Sequence, residues 1–294
     1  ASYGQLAYRT AYLKANYPAE YMTACMTAES GDIETVSEYI NEAKKMGFVI
    51  LPPDINESFS DFTVVVEGEE ITKKIRFGLN NVKNFGTEIG KAIIAERKIG
   101  GKFKSIEDFL KRVLHKNLNK KSLEALVMCG AMDTFGERGH LMGNVEDMLT
   151  FNKALAEDSN KGSVSLFDGM DDAPSARLIM KDYPAAPTKL ALSWEKELLG
   201  LYVSGHPLDI YRDRLEKVNS SIKQLKTDLN TGSTVMIEGI VEDVREIYTK
   251  KGNEKMAFMR VKDLDDSLEC VVFPKTFIDV RRFCQLEMLV VIKG

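Results

Sequence analysis

Histidine and cysteine are scarce in this 294-residue sequence, and what there is lies scattered. His115, His140 and His206 stand too far apart to share a ligand spacing, and Cys25, Cys129, Cys270 and Cys284 form no CxxC pair. That excludes a zinc-type pattern and leaves four free thiols, as in a reducing compartment. No apolar run approaches the ~20 residues of a membrane-crossing helix. The opening ASYGQLAY lacks the charged-then-apolar layout of a secretion signal. A glycine-rich phosphate loop and a nucleophile elbow are missing too. Aspartates are plentiful, but none forms the tight carboxylate cluster of a two-metal phosphoryl-transfer centre, and Asp263–Asp266 reads as a strand-end turn. No catalytic constellation is visible, and no cofactor or metal site is expected.

Positive charge is in deficit overall, with a formal net charge of −4, but the average conceals a contrast. Between Ile71 and Gly130 stand 14 Lys and Arg against 5 Asp and Glu, a local +9 that leaves −13 for the rest. A phosphate backbone responds to such local potential, whatever the charge of the whole chain. On charge alone a merely solvated lysine-rich surface remains open.

The hydrophobic pattern predicts a multi-domain α+β fold, mostly helical in its first two-thirds and ending in a truncated OB-fold β-barrel. Tyr3 to about Met46 is helical, with a break before Pro18 and a helix from SGDIET that buries Ile33, Val36, Tyr39, Ile40 and Ala43 and stops at Gly47. LPPDINES is a rigid extended turn, and FTVVVEGEEITKKIRFG reads as a hairpin turning at Glu67–Glu70. A helix–corner–helix scheme then occurs twice. The first copy is GLNNVKNFGTEIGKAIIAERK, with Ile89, Ile93 and Ile94 inward; the second is NKKSLEALVMCG with the corner AMDTFG behind it, running into one long helix from Glu137. In LSWEKELLGLYVSGHPLDIYRDRLEKV, Gly205 stops one helix and Pro207 can begin the next, with His206 as a cap. From Ser233 the alternation turns to strand type in the order strand, strand, strand, helix, strand, an OB barrel lacking its fifth strand. An open barrel edge invites mispairing, so the chain is expected to be a piece of a longer polypeptide, and Ala1 in place of an initiator Met agrees.

Helix–hairpin–helix corners hold DNA by aiming backbone N–H groups and a helix N-terminus at a phosphate, without reading bases. In the first copy Gly86 and Thr87 would supply the amides, with Lys83 and Lys91 adding charge. Asn84 stands where a glycine is usual, and asparagine tolerates left-handed geometry best among the alternatives. In the second, Gly130 and Ala131 would act with Lys120 and Lys121. The barrel would meet a single strand through its first inter-strand loop, with Tyr248, Lys250, Lys251 and Lys255, and through Phe258 and Phe273 as stacking faces or core filler. Ser163-Val164-Ser165-Leu166-Phe167 lies in a stretch of loop composition that offers Leu166 and Phe167 no local burial. The pair must be buried elsewhere, in this chain or in another protein.

The ordered segments AYRTAYLKANYPAEYM, LPPDINES, IRFGLNNVKNFG, FKSIEDF, NKKSLEALVMCGAMD, EKELLGLYVSGHPLD and TKKGNEKMAFMRVKD resemble the bacterial C-family replicative polymerases, the DNA polymerase III alpha subunits. The resemblance covers essentially the whole chain. It implies the end of the fingers over residues 1–77, tandem helix–hairpin–helix units over 78–160 and a clamp-binding loop over 161–192. Connecting helices over 193–230 and the OB domain over 231–294 complete the division. It further implies duplex primer–template, single-stranded template and the sliding clamp as partners, with other replicase subunits met through regions not in this sequence, no membrane, and a bacterial cytoplasmic location. In that family an exposed Gln-x-Ser/Asp-Leu-Phe peptide enters an apolar clamp pocket. Ser163–Phe167 is similar to it, with Ser163 in place of the glutamine, which implies a weak affinity for the peptide alone, aided by tethering. The parent would be a DNA-directed DNA polymerase using Mg2+ in a palm domain not in this sequence, so this portion is expected to be inactive alone. The alternative is a protein–protein scaffold with no direct DNA contact.

Overall fold

The computed structural model describes residues 2–68, 70–160, 177–209, 221–228, 232–249, 252–263 and 266–294. The peptide Ser163–Phe167, Lys250, Lys251 and most of the helix expected after Pro207 fall outside them. The chain divides into two compact units, Ala1–Ser204 and Gly205–Gly294.

The first unit opens with helices α1 (Ser2–Asn16), α2 (Pro18–Ala28) and α3 (Ile33–Lys45). Pro18 begins α2 at a position whose N–H has no helical partner to lose. Asp32 caps α3 by accepting the amides of Glu34 and Thr35. A small sheet follows from β1 (Val49–Leu51), β2 (Thr63–Glu67) and β3 (Glu70–Arg76), in the order β1-β3-β2. The β2–β3 hairpin turns with Glu67 opposite Glu70, while β1 pairs in parallel with β3. Sequence reading assigned no strand to β1, three residues wedged between a helix end and two prolines. After a 3-10 turn at Leu79–Asn81 come α4 (Thr87–Gly100), α5 (Ile106–Arg112) and α6 (Lys120–Met128). Where one long helix was expected there are two, α7 (Arg138–Gly143) and α8 (Val145–Asn160), parted at Asn144. Asn144 is fully buried; its amide donates to the carbonyl of Lys181 at 2.8 Å and its oxygen accepts the Lys181 N–H at 2.7 Å. That exchange straps the segment leading to α9 (Thr188–Leu199) onto the helices.

α9 ends at Gly200, not at Gly205: Gly200 takes φ 81°, and a Cβ there would lie 2.0 Å from Cγ2 of Ile33. One continuous core runs from Met22 through Ile75, Phe77, Ile89, Phe109 and Leu126 to Leu199.

The second unit holds α10 (Ile222–Asp228), β4 (Met236–Tyr248), β5 (Lys255–Lys262), β6 (Ser267–Val272), α11 (Pro274–Val280) and β7 (Leu289–Lys293). The antiparallel order is β6-β5-β4-β7. β4 serves two partners, pairing with β7 through Met236–Ile240 and with β5 from Ile240 onward, with a register shift between Val241 and Asp243. The shift bends the strand. Gly239 lets β5 come close, since a Cβ there would lie 2.6 Å from the Lys262 carbonyl. The result is a curled half-barrel of OB type around Val241, Ala257, Met259, Val261 and Phe277. Asp263, in the turn after β5, accepts the amides of Ile222 and Asp266 at 2.6 and 2.8 Å, which makes it a structural acceptor.

Candidate nucleic-acid interface

The first corner is built by burying its apolar residues and exposing its backbone. Val82, Phe85 and Ile89 are in the core, while Lys83, Asn84, Gly86 and Thr87 are exposed. The Phe85 amide closes the turn on the Val82 carbonyl at 3.2 Å, and Asn84 takes φ 67°, the left-handed geometry asparagine tolerates. Among the described residues no side chain caps α4. The amides of Gly86 and Thr87 find no acceptor among the described residues, so an exposed helix N-terminus with its partial positive charge faces outward. The Lys83 amide is not part of that opening: it donates to the Leu198 carbonyl at 2.9 Å, which fixes the corner against the end of α9. Its side chain is exposed and makes no ion pair among the described residues. Lys91 is exposed and pairs with Glu88 at 3.0 Å, an ammonium that holds the Glu88 carboxyl below its usual range.

The second corner differs. Gly130 and Ala131 are buried, the Gly130 amide donates to Val127, and the Ala131 carbonyl accepts the Ile55 amide at 2.9 Å. The structure does not bring them to a phosphate-facing position. Lys120 and Lys121 are exposed at the other end of α6, and Lys120 pairs with Glu146 at 2.7 Å.

The local equivalent of Val82–Thr87 is Met132–Glu137, where the Phe135 amide closes on Met132 at 2.9 Å as Phe85 does on Val82. The recurrence of Phe-Gly at 85–86 and 135–136 is the sequence signal for this; the corner AMDTFG contains it, while the expected amides were those of Gly130 and Ala131. There the helix start is filled by the chain's own anion. The Glu137 carboxylate accepts the amides of Gly139, His140 and Ala186 at 2.7, 3.1 and 2.8 Å. Burial raises its pKa, but these amides outweigh that and hold the carboxyl below its usual value.

Part of the basic block is structural. Arg97 donates to the carbonyls of Ile55 and Ser58 at 2.9 and 2.7 Å, and Arg112 to those of Glu96 and Gly101 at 2.7 and 2.9 Å while lying 4.3 Å over the Phe103 ring. The guanidinium fork suits such carbonyl clusters. Lysines 73, 83, 98, 104, 116 and 121 remain exposed.

In the half-barrel, Tyr248 is exposed at the end of β4, with the Lys255 ammonium 5.5 Å from its ring centroid. Lys255 also pairs with Glu246 at 3.3 Å. Phe258 is half-buried and sits in register with Arg245 and Val271, on the face of β5 opposite Ala257, Met259 and Val261. That placement answers the choice between core filler and surface in favour of the sheet's outer side. Phe273 is exposed as the residue preceding α11. Among the described residues no three His, Cys, Asp or Glu side chains could hold a metal ion, and no helix is long and apolar enough to cross a membrane.

Residues 47–141 match the family model of the helix-hairpin-helix motif. The DNA polymerase III subunit alpha of Thermus aquaticus is 40% identical over 280 residues, covering 94% of this chain and 22% of that protein. The proteins of that name from Borreliella burgdorferi and Aquifex aeolicus are 38% and 37% identical, covering 96% and 100% of this chain and 24% and 23% of their own length. This chain therefore spans under a quarter of these relatives. Matched nearly end to end by proteins that share one name, and itself matching the helix-hairpin-helix motif, it belongs to the DNA polymerase III alpha subunit family.

Proposed function

We propose that this chain is the DNA-gripping and processivity portion of a replicative polymerase, and that Asn84–Thr87 is its sequence-independent hold on duplex primer–template. The observation that carries the reading is the uncapped, exposed start of α4, with the Gly86 and Thr87 amides turned outward beside Lys83, inside a segment matching the helix-hairpin-helix motif. Lys91 joins when it exchanges Glu88 for a phosphate; Lys120 and Lys121 add diffuse attraction from the start of α6. Gly130 and Ala131 have no part in this reading, because they are buried.

Three further roles belong to the proposal. Ser163–Phe167 tethers the chain to the sliding clamp, with Leu166 and Phe167 as anchors. The half-barrel contacts single-stranded template through Tyr248, Lys255 and the outer face at Phe258, with Lys250, Lys251 and Phe273 beside them. Template-directed synthesis by the whole polymerase, in the bacterial cytoplasm, uses Mg2+ and aspartates held elsewhere, so this portion makes no DNA alone. The division into fingers end (1–77), duplex-binding units (78–160), clamp loop (161–192), connector (193–230) and OB domain (231–294) is part of the same reading.

Charge reversal separates duplex contact from a scaffold role. Lys83→Glu with Lys91→Glu should weaken duplex binding strongly at low salt and flatten its salt dependence by about one unit of slope per lost contact. Unchanged affinity would favour a scaffold that never touches DNA. Leu166→Ala with Phe167→Ala should abolish clamp binding and leave duplex binding intact; unfolding would mean the pair is core.

A further inference from the structure

We infer that the buried pair Glu195–Arg138 is a positioning device for the Asn84–Thr87 corner, acting through α9 and the carbonyl of Leu198. The inference rests on the reading of that corner as a phosphate site. Glu195 is 0% exposed and Arg138 is 7% exposed. One Glu195 oxygen accepts from Arg138 Nη1 at 2.9 Å, and the other accepts the amides of Val203 and Ser204, each at 2.9 Å. Arg138 in turn places Nε and Nη2 on the two oxygens of Asp133 at 2.9 and 2.8 Å. The network thus ties α9 and the chain just after it to the start of α7.

One turn along α9 from Glu195 lie Leu198 and Leu199, both buried on the same face. The last carbonyls of a helix have no partner within it. Here the Leu198 carbonyl takes the Lys83 amide at 2.9 Å, joining an orphan acceptor to the corner that precedes α4. Stability alone does not explain an ion pair at this depth, because apolar residues of similar volume usually serve as well or better. What charge and directed hydrogen bonds supply is register: α9 can settle at one height only, the height that sets Leu198 beneath Lys83. No part of this pair would touch DNA.

The test uses the whole 294-residue chain, with Glu195→Gln and the double variant Arg138→Met/Glu195→Met. The readouts are hydrogen exchange at the Lys83 amide, with Ile93 and Ile94 of α4 as internal references, and anisotropy of a fluorescein-labelled duplex. The expected result is exchange at Lys83 at least tenfold faster, unchanged rates at Ile93 and Ile94, and duplex affinity lowered threefold or more. If Glu195→Gln does not fold, the double variant decides by the same readouts. Unchanged exchange at Lys83, equal acceleration at all three amides, or failure of both variants to fold would overturn the inference. Faster exchange at Lys83 with unaltered duplex affinity would leave the positioning role standing and remove the phosphate role of the corner.

Discussion

At the residue level, most functional placements follow from whether a backbone amide or a thiol is wet or dry. Cys129 is fully buried, and burial pushes its thiol up to about 12. It should therefore resist alkylation at pH 8 in the folded protein and react only after denaturation; mass-spectrometric mapping of iodoacetamide adducts checks this. Glu137 has its folded pKa depressed, so its contribution to stability is complete above the ordinary carboxylate value of 4.5 and is lost as pH falls through the lower folded value. The Tm difference between the wild-type chain and Glu137→Gln should accordingly be largest near neutrality and shrink below about pH 4. The geometry of the corner at Asn84, Gly86 and Thr87 was legible in the sequence because a tight corner before a helix leaves a local signature. Gly130 and Ala131 were misplaced because their burial depends on Ile55 and Arg138, neither of which the local pattern specifies. The basic block was over-read for a similar reason: that Arg97 and Arg112 are tied to internal carbonyls is decided by tertiary packing.

Among the elements, periodicity carried the sequence reading wherever one face is apolar over several turns. α4 buries Ile89, Ile93 and Ile94 as its spacing predicts. The reading failed where a distant partner interrupts a periodic run: Asn144 divides α7 from α8 because it is paired with Lys181, 37 residues away. β1 was missed because three residues pairing in parallel with a remote strand have no pattern of their own. α9 ends at Gly200 rather than Gly205 because the chain must turn left-handed there against Ile33. Gly200→Ala should destabilise the first unit by about 1–3 kcal/mol from backbone conformation alone, before any shift of Ile33. Urea denaturation followed by helical circular dichroism measures this, and an unchanged midpoint would contradict the assigned cap.

For the whole molecule, two compact units with separate cores should not unfold as one. Calorimetry should resolve two transitions, and Gly200→Ala should lower only the one belonging to Ala1–Ser204. The overall order, helices with a repeated corner and then a curled sheet, was readable because each part has its own period, 3.6 or 2. Which of the two corners is open was not readable. That depends on Glu137 reaching the amides of Gly139, His140 and Ala186 in the second, and on no side chain among the described residues capping α4 in the first. Under the proposed reading, the asymmetry confines duplex binding to the first corner. The most direct measurement is an amide chemical-shift map of the chain titrated with a short duplex of arbitrary sequence. Gly86 and Thr87 should shift most, equally for unrelated sequences and reversibly with added salt, while Gly139 and His140 stay in place. Saturating duplex that left Gly86 and Thr87 unmoved, or moved Gly139 and His140 instead, would contradict the account.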